Sequence, residues 1–286
     1  MLKHLISYQI FLALIFGVES PKSSFLKTEY GFIDYKNRII LARGASSIVE
    51  RRSKSGDLEI IEKNLKISKG EARALARENL LDLVRLVNFD SRTVGELMLG
   101  DHLTENRIRS LVESAYQQGE VEYLEKKEVV VSLAVKMSGI AEILIDASGH
   151  LNENISDRTF LMTKNSVPKS ERISGIVIDA RNIYHIPAMV PKVFNEADKL
   201  VYGPRHYTRS RSVNRGPIGY AHSIEDGNVT RRVGSNPIFI EAVSSDDTVN
   251  LTVSNFDAEK IRDAEKKFGL LTNCKVIMQS NYVMSI

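Results

Sequence analysis

The stretch GEARALARENLLDLVRLV (Gly70–Val87) carries the clearest structural signal in the sequence. Its apolar residues recur every three or four positions, the spacing that places side chains along one side of an α-helix. Ser68, followed three residues later by Glu71, forms the S-x-x-E pattern of a helix capping box. We therefore predict an amphipathic helix over residues 70–87, capped by Ser68, whose early alanines allow close contact with a sheet. The apolar residues of its stripe are Ala72, Leu75, Ala76, Leu80, Leu83 and Val87.

Strand and helix patterns flank this helix. NRIILARGAS (37–46) is typical of a strand that ends at Gly44 in a turn of small residues. A second helix is predicted after Thr104, its expected N-cap, with Glu105 in the first turn. The valine-rich segment 129–136 predicts a strand, and EKKE just before it a turn between two strands.

A Gly-, Asn- and Asp-rich segment divides the chain. DASGHLNENISD begins at Asp146, and such a composition is typical of a linker. Short strand patterns follow it, with one helix that Asn255 or Asp257 caps and Gly269 ends. The predicted fold class is α+β: two small domains, each a mainly antiparallel sheet packed with one or two helices. We place the domains at residues 31–146 and 173–286, with a linker at 147–172.

The N-terminal segment has the pattern of an export signal. Lys3 and His4 precede an apolar stretch from Leu5 to Val18, which is shorter than the ~20 residues of a membrane span. We predict a signal peptide over residues 1–20, a periplasmic or otherwise extracytoplasmic location, and no transmembrane span in the mature chain. The alternatives are an uncleaved anchor and a buried first helix. Without a cysteine near the cleavage region, no lipid anchor is expected.

The composition argues against several classes of function. The chain has 286 residues, of which 43% are hydrophobic, so it is long enough to fold around a core. Its net charge is only +3, too mild to indicate a nucleic-acid-binding protein. Nucleotide-binding loops, nucleophile elbows and zinc-binding histidine pairs are missing from the sequence, so we predict no catalytic residues, no cofactor and no metal. Cys274, the single cysteine, is expected to be a buried, inert thiol.

The order of the parts resembles a known family. The first half is similar to the LPP-twenty lipoprotein family and to the related N-terminal domain of flagellar assembly protein T. The second half resembles the C-terminal part that accompanies that domain in some exported bacterial proteins. The pieces that carry the resemblance are IILARGAS, EARALARENLLDLV, VNFDSRTVGELML and NRIRSLVESAYQQGEVEYL in the first half, and SGIVIDARNI, PAMVPKVFNEADKLVYG, IGYA, RVGSNPIFIEAV, VSNFDAEKI and CKVIMQS in the second.

The resemblance implies a non-enzymatic role in the bacterial envelope without a cofactor, in some members at the flagellar basal body. The chain departs from the pattern at two turns, where Asn182 and Asp198 stand in place of glycine. Asn and Asp tolerate left-handed backbone better than other non-glycine residues, so the turns remain plausible. The missing N-terminal cysteine separates the chain from the lipoprotein branch.

Asp179 and Arg181 are the first candidate interaction residues. On an extended strand their spacing places both on one face of the sheet. They would either bind a polar ligand or act as an acid–base pair, or they would pair with each other. Mutual pairing is the simpler interpretation, because no partner constellation accompanies them.

A loop rich in arginine is the second candidate. PRHYTRSRSVNRG (204–216) contains Arg205, Arg209, Arg211 and Arg215, which on an extended loop would clamp an anionic group. The alternative is a solvated surface loop.

The leading functional hypothesis is an exported, non-enzymatic envelope protein with a structural or interaction role. Its expected partners are envelope or flagellar proteins. The alternative is a periplasmic glycan- or anion-binding protein, or a hydrolase, that uses Asp179, Arg181 and the arginine loop.

Overall fold

A computed structural model of the chain describes residues 26–48, 58–124, 127–147, 172–281 and 284–285. None of the helices within these ranges is both long and apolar enough to cross a membrane. The predicted signal peptide, residues 1–20, and nearly all of the predicted linker, residues 147–172, lie outside the described residues. The described helices are α1 (Leu58–Arg85), α2 (Val94–Gly100), α3 (His102–Glu113), α4 (Met137–Ala147), α5 (Arg209–Arg215), α6 (Gly227–Val233) and α7 (Asn255–Phe268), with one 3-10 turn at Pro204–His206.

Fourteen strands are found in the described ranges, and they form two sheets. They are β1 (Leu26–Thr28), β2 (Gly31–Asp34), β3 (Ile39–Ser47), β4 (Tyr116–Gln117), β5 (Glu122–Leu124), β6 (Glu128–Lys136), β7 (Gly175–Asp179), β8 (Val193–Asn195), β9 (Leu200–Tyr202), β10 (Gly219–Ala221), β11 (Pro237–Ser244), β12 (Leu251–Val253), β13 (Val276–Gln279) and β14 (Met284–Ser285).

The first sheet has the order β14-β1-β2-β3-β6-β4, and β5 also pairs with β6. All its pairings are antiparallel except the one between β1 and β14. Helix α1 packs across β3 and β6, and the apolar residues on that side belong to the main core. The seven residues Val129–Val135 of β6 are all buried, so this strand is covered on both faces.

The second sheet has the order β10-β13-β7-β11-β12-β8-β9. Its pairings are mixed: β10, β13, β7 and β11 run parallel, as do β12 and β8. The β11–β12 and β8–β9 pairs are antiparallel. The predicted α+β class with two sheets is confirmed. The predicted antiparallel pairing describes the first sheet, whereas in the second sheet it is confined to these two pairs.

A close approach of backbone to backbone fixes α1 on the first sheet. Ala72 and Ala76 are fully buried, and a Cβ atom on Gly44 would overlap the backbone atoms of both. The prediction that the early alanines bring the helix close to a sheet is confirmed. Gly44 lies inside β3 rather than at its end. Here the glycine allows the helix backbone to approach the strand and does not end the strand.

The predicted start of this helix is wrong. Helix α1 begins at Leu58, so Ser68 lies in its interior and caps nothing. Instead the buried Ser68 hydroxyl donates to the carbonyl of Ser47, 3.1 Å away, and Glu71 accepts from the Ser46 hydroxyl at 2.7 Å. The S-x-x-E pattern therefore fastens the helix to the end of β3.

A second helix start differs from the prediction, and a third was not predicted. Asp101, not Thr104, caps α3, because its carboxylate accepts from the backbone N–H groups of Leu103 and Thr104. A capping box that the sequence analysis missed, Thr93 with Glu96, begins α2. Short polar segments offer several capping residues, and only the local backbone decides which one is used.

The second half follows its local signals more closely. Ser254 caps α7, one residue before the predicted Asn255, and Gly269 ends the helix in a left-handed conformation, as predicted. Asp198 has φ +53°, which confirms a left-handed turn residue there. Asn182 is not among the residues with positive φ.

One continuous core runs through both halves of the chain. The β14 residues Met284 and Ser285 pair with Leu26 and Lys27 of the first sheet, although the sequence analysis assigned them to the second domain. The domain boundaries themselves stay a prediction.

Gly44→Ala tests the close approach of α1 to β3. The added methyl group would push the helix from the sheet, so we expect the free energy of unfolding to fall by about 3 kcal/mol, the upper range for overpacking. Gly70→Ala is the matched control, because Gly70 lies in α1 with no atom near its Cβ position. That variant should gain about 0.5–1 kcal/mol from helix propensity. Chemical denaturation measures both; equal effects of the two variants would contradict the packing.

Candidate functional site

Asp179 and Arg181 pair with each other. The Arg181 side chain donates from Nε to Oδ1 of Asp179 at 2.9 Å and from Nη2 to Oδ2 at 2.6 Å, and its backbone N–H also donates to Oδ1. These hydrogen bonds from the Arg181 side chain hold the pKa of the Asp179 carboxyl below its usual range. Strand β7 ends at Asp179, so a turn, not a shared strand face, brings the two residues together. The mutual pairing considered in the sequence analysis is present.

The same arrangement occurs a second time. Arg92 donates from its backbone N–H and Nε to Oδ1 of Asp90, and from Nη2 to Oδ2 at 2.7 Å. Both pairs have the spacing Asp-x-Arg directly after an apolar segment. The repetition indicates a local device that fixes a turn, since nothing in the spacing itself requires a ligand.

The arginine segment is folded, not extended. Residues 204–206 form the 3-10 turn and residues 209–215 form α5, whose N-cap is Thr208. The prediction of an extended arginine loop is therefore wrong. The side chains diverge: Arg205 donates to Leu200 O, Arg209 to the carbonyl and carboxylate of Glu142, Arg211 to Thr272 O and Arg215 to Arg232 O.

An open cleft between the two halves collects positive charge. Its volume is about 380 Å³, and none of the described residues that line it is acidic. We call it the basic cleft and define it by five side chains: Lys36, Arg38, Arg215, Arg231 and Arg232. Lys36 and Arg38 come from the turn between β2 and β3, Arg215 from the end of α5, and the other two from α6. Of the predicted candidates, only Arg215 lies in this cleft.

Two of these arginines cap the C-terminal end of α5. Arg38 donates to the carbonyls of Val213 and Asn214, both at 3.0 Å. Arg232 donates to the carbonyls of Arg215 and Gly216 at 2.9 and 2.6 Å, and from Nε to Val276 O. The last carbonyls of a helix have no partner within the helix and carry partial negative charge. The guanidinium groups satisfy them, and Arg38 thereby joins the first half of the chain to the second.

The electrostatic cost of this arrangement appears at Arg232. Burial, together with the like charges of Arg215 and Arg38, lowers its pKa to about 10. Burial also lowers the pKa of Arg38. Nearby Cys274 is a buried thiol whose pKa burial raises, so its predicted burial is confirmed.

A cluster of aromatic rings lies behind the cleft. Tyr35 and Tyr220 meet edge to face with ring centroids 5.9 Å apart, and His185 stacks on Tyr220 at 6.2 Å. Nε2 of His185 lies 3.0 Å from Val249 O and must donate to it, because a carbonyl only accepts. Nδ1 has no hydrogen-bond partner among the described residues, and burial lowers the pKa of His185 to about 4.

Most residues of the basic cleft were not predicted from the sequence to form a site. Lys36 and Arg38 stand in a four-residue turn, and Arg231 and Arg232 are adjacent in the sequence. Each pair alone looks like solvated surface charge. Only tertiary contact between distant segments places the two pairs together.

The fold and the cleft define the class: an α+β protein of two sheets with one shared core and a basic cleft between its halves. Residues 175–280 match the family model described as Treponema pallidum Tp0624, second domain. The matched range lies within the second half and leaves the first half unmatched. No curated protein matches the chain. The match gives no support to the resemblance to the LPP-twenty family or to flagellar assembly protein T, which stays a hypothesis.

Arg232→Met tests the capping role of the buried arginine. Three carbonyls would lose their donor, and we expect the free energy of unfolding to fall by about 2–3 kcal/mol. The side chain of the neighbouring Arg231 is exposed and has no hydrogen bond to the described residues, so Arg231→Met should change stability by less than about 0.5 kcal/mol. Urea denaturation of the two variants measures the difference. A loss at Arg231 as large as that at Arg232 would refute the assignment.

His185 predicts a pH dependence of stability. Its pKa of about 4 in the folded protein lies below the ~6.5 of an unfolded chain. Neutral His185 therefore contributes fully to the free energy of unfolding above pH 6.5. As pH falls towards 4, protonation of the unfolded chain lowers that free energy by about 3 kcal/mol. Burial also lowers the pKa of His206. The His185 effect is therefore read from a comparison of variants and not from the wild-type pH profile alone.

His185→Gln keeps a donor for Val249 O but removes the titration. Its free energy of unfolding should fall less steeply between pH 6.5 and 4 than that of the wild type. His102→Gln is the control, since the His102 side chain is fully exposed, and it should keep the wild-type slope. If His185→Gln also keeps that slope, the buried neutral histidine is not the cause.

Proposed function

We propose that the protein is an exported, non-enzymatic protein of the bacterial cell envelope with a structural or interaction role. The observation that carries this proposal is the Asp179–Arg181 pair, in which the arginine holds both carboxylate oxygens. A hydrolase that uses these residues would need at least one of them free for substrate. The first three arginines of the segment 205–215 are likewise engaged with carbonyls or with Glu142.

Two further observations support the proposal. The sequence begins with the charge and apolar pattern of an export signal, and the second half is similar to a domain of a bacterial protein. The expected partners are other envelope proteins. A flagellar connection rests on the resemblance of the first half alone, and the absence of a cofactor stays a prediction.

Cell fractionation tests the export. We expect the full chain, expressed in a bacterium, to be found outside the cytoplasm in a form shortened by about the 20 residues of a signal peptide. Leu14→Asp places a charge in the apolar stretch and should keep the protein in the cytoplasm at full length. Ser23→Asp, outside the stretch, is the matched control and should be exported. Uncleaved wild-type protein in the cytosol would overturn the proposal.

A further inference from the structure

The basic cleft holds more positive charge than the fold neutralises. Lys36 forms an ion pair with Asp226, whereas the side-chain contacts of Arg38, Arg215 and Arg232 in the described structure are with main-chain carbonyls. The end of a helix carries roughly half a negative elementary charge. That amount cannot balance two capping guanidinium groups, and Arg215 and Arg231 add two more positive charges beside them.

The arginines also retain free hydrogen-bond donors. A guanidinium group has five N–H donors, and Arg232 uses three of its nitrogen atoms on carbonyls. The Arg231 side chain is exposed and donates to no described residue. The cleft therefore combines arginines that the fold fixes in place with one that is free to close on a ligand. Fixed donors of this kind lose little conformational entropy on binding.

We propose that the basic cleft binds a phosphate group carried by a larger molecule. A phosphate monoester has about −1.5 to −2 charges and three strong acceptor oxygens, which suits several converging arginines better than a single carboxylate does. The cleft, at about 380 Å³ and open to solvent, leaves room for a substituent on the phosphate. This site goes beyond the proposed export and interaction role, and it does not depend on that role.

Titration of the purified full chain tests the site. Inorganic phosphate and pyrophosphate should raise the melting temperature, pyrophosphate at lower concentration, because a ligand that binds the folded state stabilises it. Sodium acetate at the same ionic strength should have no such effect. The affinity for phosphate and pyrophosphate, measured by calorimetry, should weaken with added salt, because exposed charge contacts are screened. Equal shifts with acetate, or no shift with either phosphate, would overturn the proposal.

Two arginine variants locate the binding. Arg231→Ser removes the free guanidinium group without touching a cap, and it should weaken phosphate and pyrophosphate binding by at least about tenfold. Arg107→Ser is the matched control, because Arg107 is an exposed helical arginine in α3, away from the cleft. Wild-type affinity in Arg231→Ser, or an equal loss in both variants, would overturn the location.

The source of the phosphate is distinguished by two probes. Vesicles of phosphatidylcholine with phosphatidic acid present the group at a membrane surface, and glucose 1-phosphate presents it in solution. Retention on the vesicles, lost in Arg231→Ser, would indicate a lipid headgroup; binding of the sugar phosphate alone would indicate a soluble ligand or polymer. Binding of neither would overturn the proposal. Cell fractionation of Arg231→Ser reads export separately, so the two proposals fail independently.

Discussion

The hydroxyl of Tyr220 donates a hydrogen bond to the carbonyl of Ala188 and accepts one from its N–H. The next two residues of that segment, Met189 and Val190, donate from their backbone N–H groups to carbonyls of the first half. The ring of Tyr220 also packs against Tyr35, whose own hydroxyl accepts from Asn88 N–H. A buried tyrosine needs a partner for its hydroxyl, and here the partners are backbone groups of the two segments, at Asn88 and Ala188, that meet where the halves join. Because Tyr35 precedes Lys36 and Tyr220 lines the basic cleft, the same contacts set the positions of the cleft walls.

The cleft shows how one requirement of the fold creates an opportunity for binding. Helix α5 has only seven residues, so its last four carbonyls, more than half of them, lack a partner within the helix. Arginine satisfies two carbonyls with one planar group, as Arg38 and Arg232 do. Each such cap brings a full positive charge to a site that supplies only a fraction of a negative one. Capping with a neutral donor would have avoided the excess charge, and the excess is what attracts an anion.

The sequence predicted those features that depend on neighbours within one helix or turn. The apolar stripe of α1, the glycine that ends α7 and the left-handed Asp198 are all decided by a few adjacent residues. Two members of the predicted stripe differ from the prediction: Leu75 is exposed, and Val87 is buried but lies beyond the end of the helix. Ser68 shows the limit: a serine three residues before a glutamate caps a helix only if the helix begins there. The preceding segment LEIIEKNLKI (58–67) fits a strand as well as a helix, so its pattern does not show that the helix has already begun. The parallel pairs of the second sheet and the meeting of Arg38 with α5 depend on contacts between segments far apart in the chain. No local pattern encodes such contacts.

The pairing of β14 with β1 has a consequence for the order of synthesis. Strand β1 leaves the ribosome early and forms a hairpin with β2, but its other edge finds its partner only when Met284 has been made. Until then the first sheet presents an unpaired edge, which is a template for pairing with another chain. Folding therefore cannot finish half by half in the order of translation, since the first half waits for residues at the far end. A growing chain of this protein is accordingly exposed to intermolecular pairing for the whole time that the second half is being made.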